Sequence, residues 1–120
     1  MKKIFLVKAC LLFLLISSCG KNDGGIADLF IPNFSNLWAS SRGTQFQFIP
    51  NASNVPSGTL TGDEDGIPFT GSFNSYNVEF TFTSGAENGV KYSGKIIKDS
   101  VPVKMEVTGT NNVQLTLVKN

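Results

Sequence analysis

Between Val90 and Leu117 the chain alternates between apolar and polar residues. Val90, Tyr92 and Ile96 stand opposite Lys91, Ser93 and Lys95; Val101, Val103, Met105 and Val107 stand opposite Lys104, Glu106 and Thr108; Val113, Leu115 and Leu117 stand opposite Gln114 and Thr116. Successive side chains of a strand point to opposite faces of a sheet, so a period of two with charge on one face calls for half-buried antiparallel strands. The pattern extends upstream. Phe46 and Phe48 alternate with Gln45 and Gln47, Phe69 and Phe73 share a face, and Val78, Phe80 and Phe82 alternate with Glu79, Thr81 and Thr83. From Phe34 onward no segment carries a long helical period, which makes the fold class all-β.

Short turn-forming stretches separate these runs: 51–56, Asp63-Glu64-Asp65-Gly66, Asn74-Ser75-Tyr76-Asn77, 84–89, 99–102 and Asn111-Asn112. Connections this short favour hairpins. The simplest path is an up-and-down meander of seven or eight strands, closed into a small barrel so that no strand edge is left bare. Four segments agree with closure: Leu60-Thr61-Gly62, Phe69-Thr70-Gly71, Tyr92-Ser93-Gly94 and Val107-Thr108-Gly109 each place a glycine two residues after a large apolar one. By parity each glycine faces inward, where it permits sharp coiling and leaves room for neighbouring rings.

The start of the chain reads differently. Behind Met1-Lys2-Lys3 comes an apolar run, Ile4 to Ile16, broken at Lys8 and ending in Ile16-Ser17-Ser18-Cys19-Gly20. A basic start and an apolar run shorter than the ~20 residues of a spanning helix fit a signal peptide. The junction resembles the lipobox of bacterial lipoproteins. That resemblance implies cleavage before Cys19, a diacylglycerol on its thiol and an N-acyl chain on its amine, and two or three chains make a stable anchor where one is marginal. The expected organisation is a signal peptide over 1–18, a lipidated cysteine and flexible tether over 19–33, and a β-barrel domain over 34–120. Ile26, Leu29 and Phe30 recur at helical spacing before Pro32, enough for a short helical turn set as a lid on the domain. Gly20, in place of an aspartate retention signal, points to the outer membrane of the cell envelope, with the barrel facing the periplasm or the exterior.

Composition removes several function classes. After Cys19 there are seven Lys and Arg (Lys21, Arg42, Lys91, Lys95, Lys98, Lys104, Lys119) against nine acids, a net charge of −2 with no basic stripe along the chain for nucleic acid or an anionic membrane. There is no histidine, so the commonest general base and metal ligand are missing. The serines therefore lack a partner, no lysine lies in an apolar stretch, and the expectation is no catalytic residue, no metal and no cofactor beyond the lipid on Cys19. Asp63, Glu64 and Asp65 could meet a calcium ion, but without the spacing of an EF-hand loop they read as solvated acids on a turn. The protein is expected to be a monomer and not an enzyme.

Asn36-Leu37-Trp38 at the first strand, followed by Arg42-Gly43-Thr44 and the Phe46/Phe48 strand, resembles the opening of lipocalin-like and avidin-like barrels. In those families an early tryptophan closes the barrel floor; lipocalins have glycine where this chain has Asn36. The resemblance implies a fold and, more loosely, ligand binding. The many large inward side chains favour a filled interior. A pocket, if formed, would be lined by Trp38, Phe46, Phe48, Phe69, Phe80, Phe82 and Tyr92 and would take a small apolar ligand. The first functional expectation is a lipocalin-like carrier or sensor of such a ligand. The alternative is a solid surface module that meets a protein or glycan through loops such as 84–89 and 63–66.

Overall fold

A computed structural model of the chain describes residues 30–120. The expected signal peptide, Cys19, and Ile26 and Leu29 of the expected helical turn lie outside the described residues. Within them the alternating runs form eight strands: β1 (Trp38–Ser40), β2 (Gln45–Pro50), β3 (Ser57–Glu64), β4 (Ile67–Asn74), β5 (Asn77–Phe82), β6 (Lys91–Ile97), β7 (Lys104–Gly109) and β8 (Gln114–Lys119). Each strand pairs antiparallel with its successor, and β1 closes on β8 through Trp38↔Lys119, Ala39↔Val118 and Ser40↔Leu117. The fold is an up-and-down meander barrel, as the pattern required.

Parity governs what lies inside. Phe46 and Phe48 are buried while Gln45, Gln47 and Ile49 are exposed; Met105, Val107 and Gly109 are buried while Lys104, Glu106 and Thr108 are exposed. The glycines seat the rings. Phe69 pairs with Gly62, Phe80 with Gly71 and Tyr92 with Gly109. A Cβ on Gly62 would come within 2.6 Å of the Phe69 ring and 2.1 Å of the Gln47 carbonyl, so that position admits nothing larger. On Gly94 a Cβ would lie 1.8 Å from the Glu106 carbonyl, which is how closely the coiled strands approach there.

The strand directions give the barrel two unlike ends. One end, called the mouth here, carries the β1–β2, β3–β4, β5–β6 and β7–β8 connections. The other, the floor, carries the β2–β3, β4–β5 and β6–β7 connections, the segment 30–37 and the end of β8. Residues 30–35 form no helix; Phe30 lies against the floor with its ring stacked on Tyr76 at 4.5 Å, and Phe34 is buried against Phe48 and Phe73. Trp38 is fully buried at this end, edge-on to Phe48 and with the Lys119 ammonium 5.8 Å from its ring centre. Two residues earlier Asn36 has φ 67°, a left-handed value that asparagine tolerates and glycine adopts freely. Val101 departs from its expected strand position. It sits in the β6–β7 loop and is 98% exposed, because β7 starts only at Lys104.

Candidate functional site

The seven residues expected to line a pocket all reach the interior. Trp38, Phe46, Phe48, Phe69, Phe80, Phe82 and Tyr92 are each at most 4% exposed and belong to one apolar cluster. They touch one another. Phe69 and Phe80 have ring centres 4.6 Å apart, Phe48 and Phe69 5.3 Å, and Phe80 and Tyr92 5.6 Å, with tilted, edge-on and stacked geometries that satisfy the ring quadrupoles. Open space borders this stack. A groove of about 670 Å³ runs between residues 31–35 and 50–55 at the floor, reaching Phe48, and a cleft of about 260 Å³ opens at the mouth beside Phe82. The indole Nε1 of Trp38 has no hydrogen-bond partner among the described residues.

A polar cluster caps the stack at the mouth, centred on Arg42 of the β1–β2 turn. Its Nε and Nη2 donate to the two oxygens of Glu64 at 2.7 and 2.5 Å, the bidentate fit of a guanidinium to a carboxylate. Nη2 also donates to Glu87 Oε1 at 2.9 Å, and the guanidinium lies 5.8 Å from the Tyr92 ring centre. Glu87 is shared further, accepting from the Tyr92 hydroxyl at 2.7 Å and from Asn111 Nδ2 at 2.9 Å. Thr44 donates its hydroxyl to Glu64. Three connections of the mouth and the end of β3 are thus tied together by side chains.

The charges respond as this geometry dictates. The hydrogen bond to Glu64 is the largest influence on Arg42 and, with Glu87, holds the guanidinium above its ordinary value against the opposing effect of burial. Burial pushes Glu87 up, but the hydrogen bonds from Arg42, Tyr92 and Asn111 outweigh it and hold its carboxyl below the usual range. Burial raises the Tyr92 phenol, and its bond to Glu87 adds to the rise. At the floor, burial lowers the Lys119 ammonium, which donates to the Asn33 carbonyl at 2.8 Å.

Sequence reasoning missed this cluster. It treated Asp63, Glu64 and Asp65 as acids on one turn, whereas β3 runs to Glu64 and only Asp65 and Gly66 make the turn. Glu64 is 5% exposed. The signal was present, since Leu60, Gly62 and Glu64 have the same parity and the inward face simply continues to the acid. The loops 84–89 and 63–66, named as contact candidates, do lie at the same end, the mouth. Compared with known proteins, the chain matches no family model, no curated protein and no solved structure.

Proposed function

We propose that this chain is a bacterial lipoprotein held in the cell envelope by diacylglycerol and N-acyl chains on Cys19, and that its barrel is a solid interaction module whose mouth meets a protein or glycan partner. The observation that carries the module reading is the mutual packing of the seven rings, which leaves a carrier's ligand to displace side chains already in contact. The mouth supports it as well. Arg42, Glu64, Glu87 and Asn111 cross-link three separate connections and the end of β3. Loops fixed in advance lose little freedom on binding, which is what a recognition surface gains from such ties. The lipid anchor is supported by the basic start, the apolar run and Ile16-Ser17-Ser18-Cys19.

Photo-cross-linkers placed at Asn88 in the β5–β6 loop and at Thr70 on the outer face of β4, in cells producing the full chain, test the reading. Specific adducts from Asn88 and none from Thr70 are expected. Adducts of equal yield from both positions would remove the mouth as the recognition surface. Ligand-retaining mass spectrometry of the membrane-purified protein makes the opposing case: a stoichiometric apolar small molecule would replace the module with a carrier.

A further inference from the structure

The floor differs from the mouth in its surface as well as its interior. Six large apolar side chains are exposed among the described residues, and five of them, Ile31, Leu37, Ile49, Ile97 and Val101, lie at or beside the floor. Only Ile67 lies at the mouth. Val101, 98% exposed at the tip of the β6–β7 loop, is held out in solvent with nothing over it. Isolated exposed apolar residues are ordinary, but their confinement to one end of a barrel is a surface property that asks for a partner.

Charge divides the same way. Lys95, Lys98, Lys104 and Lys119 lie toward the floor with Asp99 in its loops and Glu106 opposite Lys95, whereas Asp63, Glu64, Asp65 and Glu87 lie at the mouth with Arg42 and Lys91, and Glu79 lies between on β5. No basic stripe is visible along the sequence because these lysines come from three strands and a loop. The meander gathers them, and the apolar residues stand among them.

The chain also enters the barrel here. Phe30 is stacked on the floor at Tyr76, and Cys19 precedes it by eleven residues, at most about 40 Å of fully extended backbone. A tether of that reach keeps the barrel near the bilayer without deciding which end faces it. The apolar and basic side chains decide it. We infer that the anchored barrel docks floor-first on a phospholipid surface bearing anionic headgroups, with Val101 and Ile97 entering the interface, Lys98 and Lys104 at headgroup level and the mouth turned away. This inference rests on the lipoprotein reading above, and it supplies that reading with an orientation: the acidic mouth is presented outward to a partner while the floor is occupied by lipid. Apolar insertion flanked by lysines is the combination by which interfacial surfaces bind anionic bilayers.

The test uses the full lipidated chain, purified from membranes and reconstituted in vesicles of phosphatidylethanolamine and phosphatidylglycerol that carry nitroxide-labelled lipid. Fluorophores are attached to Val101→Cys or Ser84→Cys, exposed loop positions at the floor and the mouth, and intact mass spectrometry of the same sample reports the acyl chains on Cys19. Quenching at position 101 about twofold or more above that at 84 is expected, and Ile97→Asp in the Val101→Cys chain should bring it down toward the level at 84. Equal quenching at both positions in acylated protein overturns the docking and leaves the anchor standing. An unmodified Cys19 overturns the anchor itself, and the docking with it.

Discussion

The two ends of this barrel are closed by different chemistry. At the mouth a guanidinium is held between two carboxylates, one of which also accepts from a phenol and an amide, and the seal is directional, each donor finding a defined acceptor. At the floor the seal is aromatic: Phe34 wedges between Phe48 and Phe73, Phe30 stacks on Tyr76, and Trp38 lies under the Lys119 ammonium. A hydrogen-bonded end fixes the loops that surround it, because moving one loop breaks bonds in the next. The aromatic end excludes water, and its rim is tied mainly through backbone groups, Ser75 N–H to the Pro56 carbonyl and Lys119 N–H to the Val103 carbonyl, with no side-chain carboxylate among the described residues of the seal. The end whose loops are joined by charged side chains is suited to recognition, and the end that exposes apolar side chains is suited to a soft surface.

The ring layer between them belongs to both ends, and breaking it should give the largest effect. Phe80 touches Phe46, Phe48, Phe69, Phe82 and Tyr92. Phe80→Ala is expected to cost about 3–5 kcal/mol in denaturant unfolding, since the packed neighbours cannot collapse fully into the space. A loss well below that range would mean that the interior relaxes easily, and the solid-module reading would weaken.

Next comes the mouth. Arg42→Met leaves Glu64, 5% exposed, with Thr44 as its remaining side-chain partner, and should destabilise by about 3 kcal/mol, the lower part of the range for an orphaned buried charge. The double variant Arg42→Met/Glu64→Met should recover most of that loss, because a pair replaced by apolar groups of similar volume is often neutral. The comparison at the floor is Phe30→Ala. It removes one stacked contact at a partly buried position and should cost about 1 kcal/mol. If Phe30→Ala proved as damaging as Arg42→Met, the floor would be as tightly determined as the mouth and the contrast between the ends would fail.

The sequence displayed this contrast unevenly, for physical reasons. Strand parity is local, so the inward set from Phe46 to Leu117 can be read from alternation alone, and the glycines opposite Phe69, Phe80 and Tyr92 mark where rings would sit. Packing at this end was also visible in outline, since Phe30 stacks on Tyr76, while Ile26 and Leu29 of the expected turn lie outside the described residues. The mouth cluster was not legible, because Arg42 meets partners 22 and 45 residues away that only the meander brings to one end. Val101 misled for a complementary reason. It continues the alternation of Val103 and Met105, but pairing of β6 with β7 stops at Ile97↔Lys104, and an alternating residue beyond the ladder has no face to lie on.

The smallest expected effect separates the ends by pH. Glu87 has a carboxyl held below the ordinary glutamate value in the folded state, so the native protein takes up its proton less readily than the unfolded chain. Its contribution is therefore complete above the unfolded value of about 4.3 and is lost as pH falls through the lower folded value. Tyr92 acts at the other limit. Its phenol is raised, so its contribution is complete below the unfolded value of about 10 and is lost as pH rises through the folded one. Lys119 at the floor runs against Tyr92, because its ammonium is lowered by burial and the folded state gains relative to the unfolded chain as pH climbs through that lowered value. Thermal unfolding of Glu87→Gln beside the unaltered protein should thus show a gap at neutral pH that closes below about pH 4, while Lys119→Met should leave that acid limb unchanged and remove the alkaline gain. A gap that persists undiminished at pH 3 would mean that Glu87 contributes through packing and not through its charge, and the mouth would then be sealed much as the floor is.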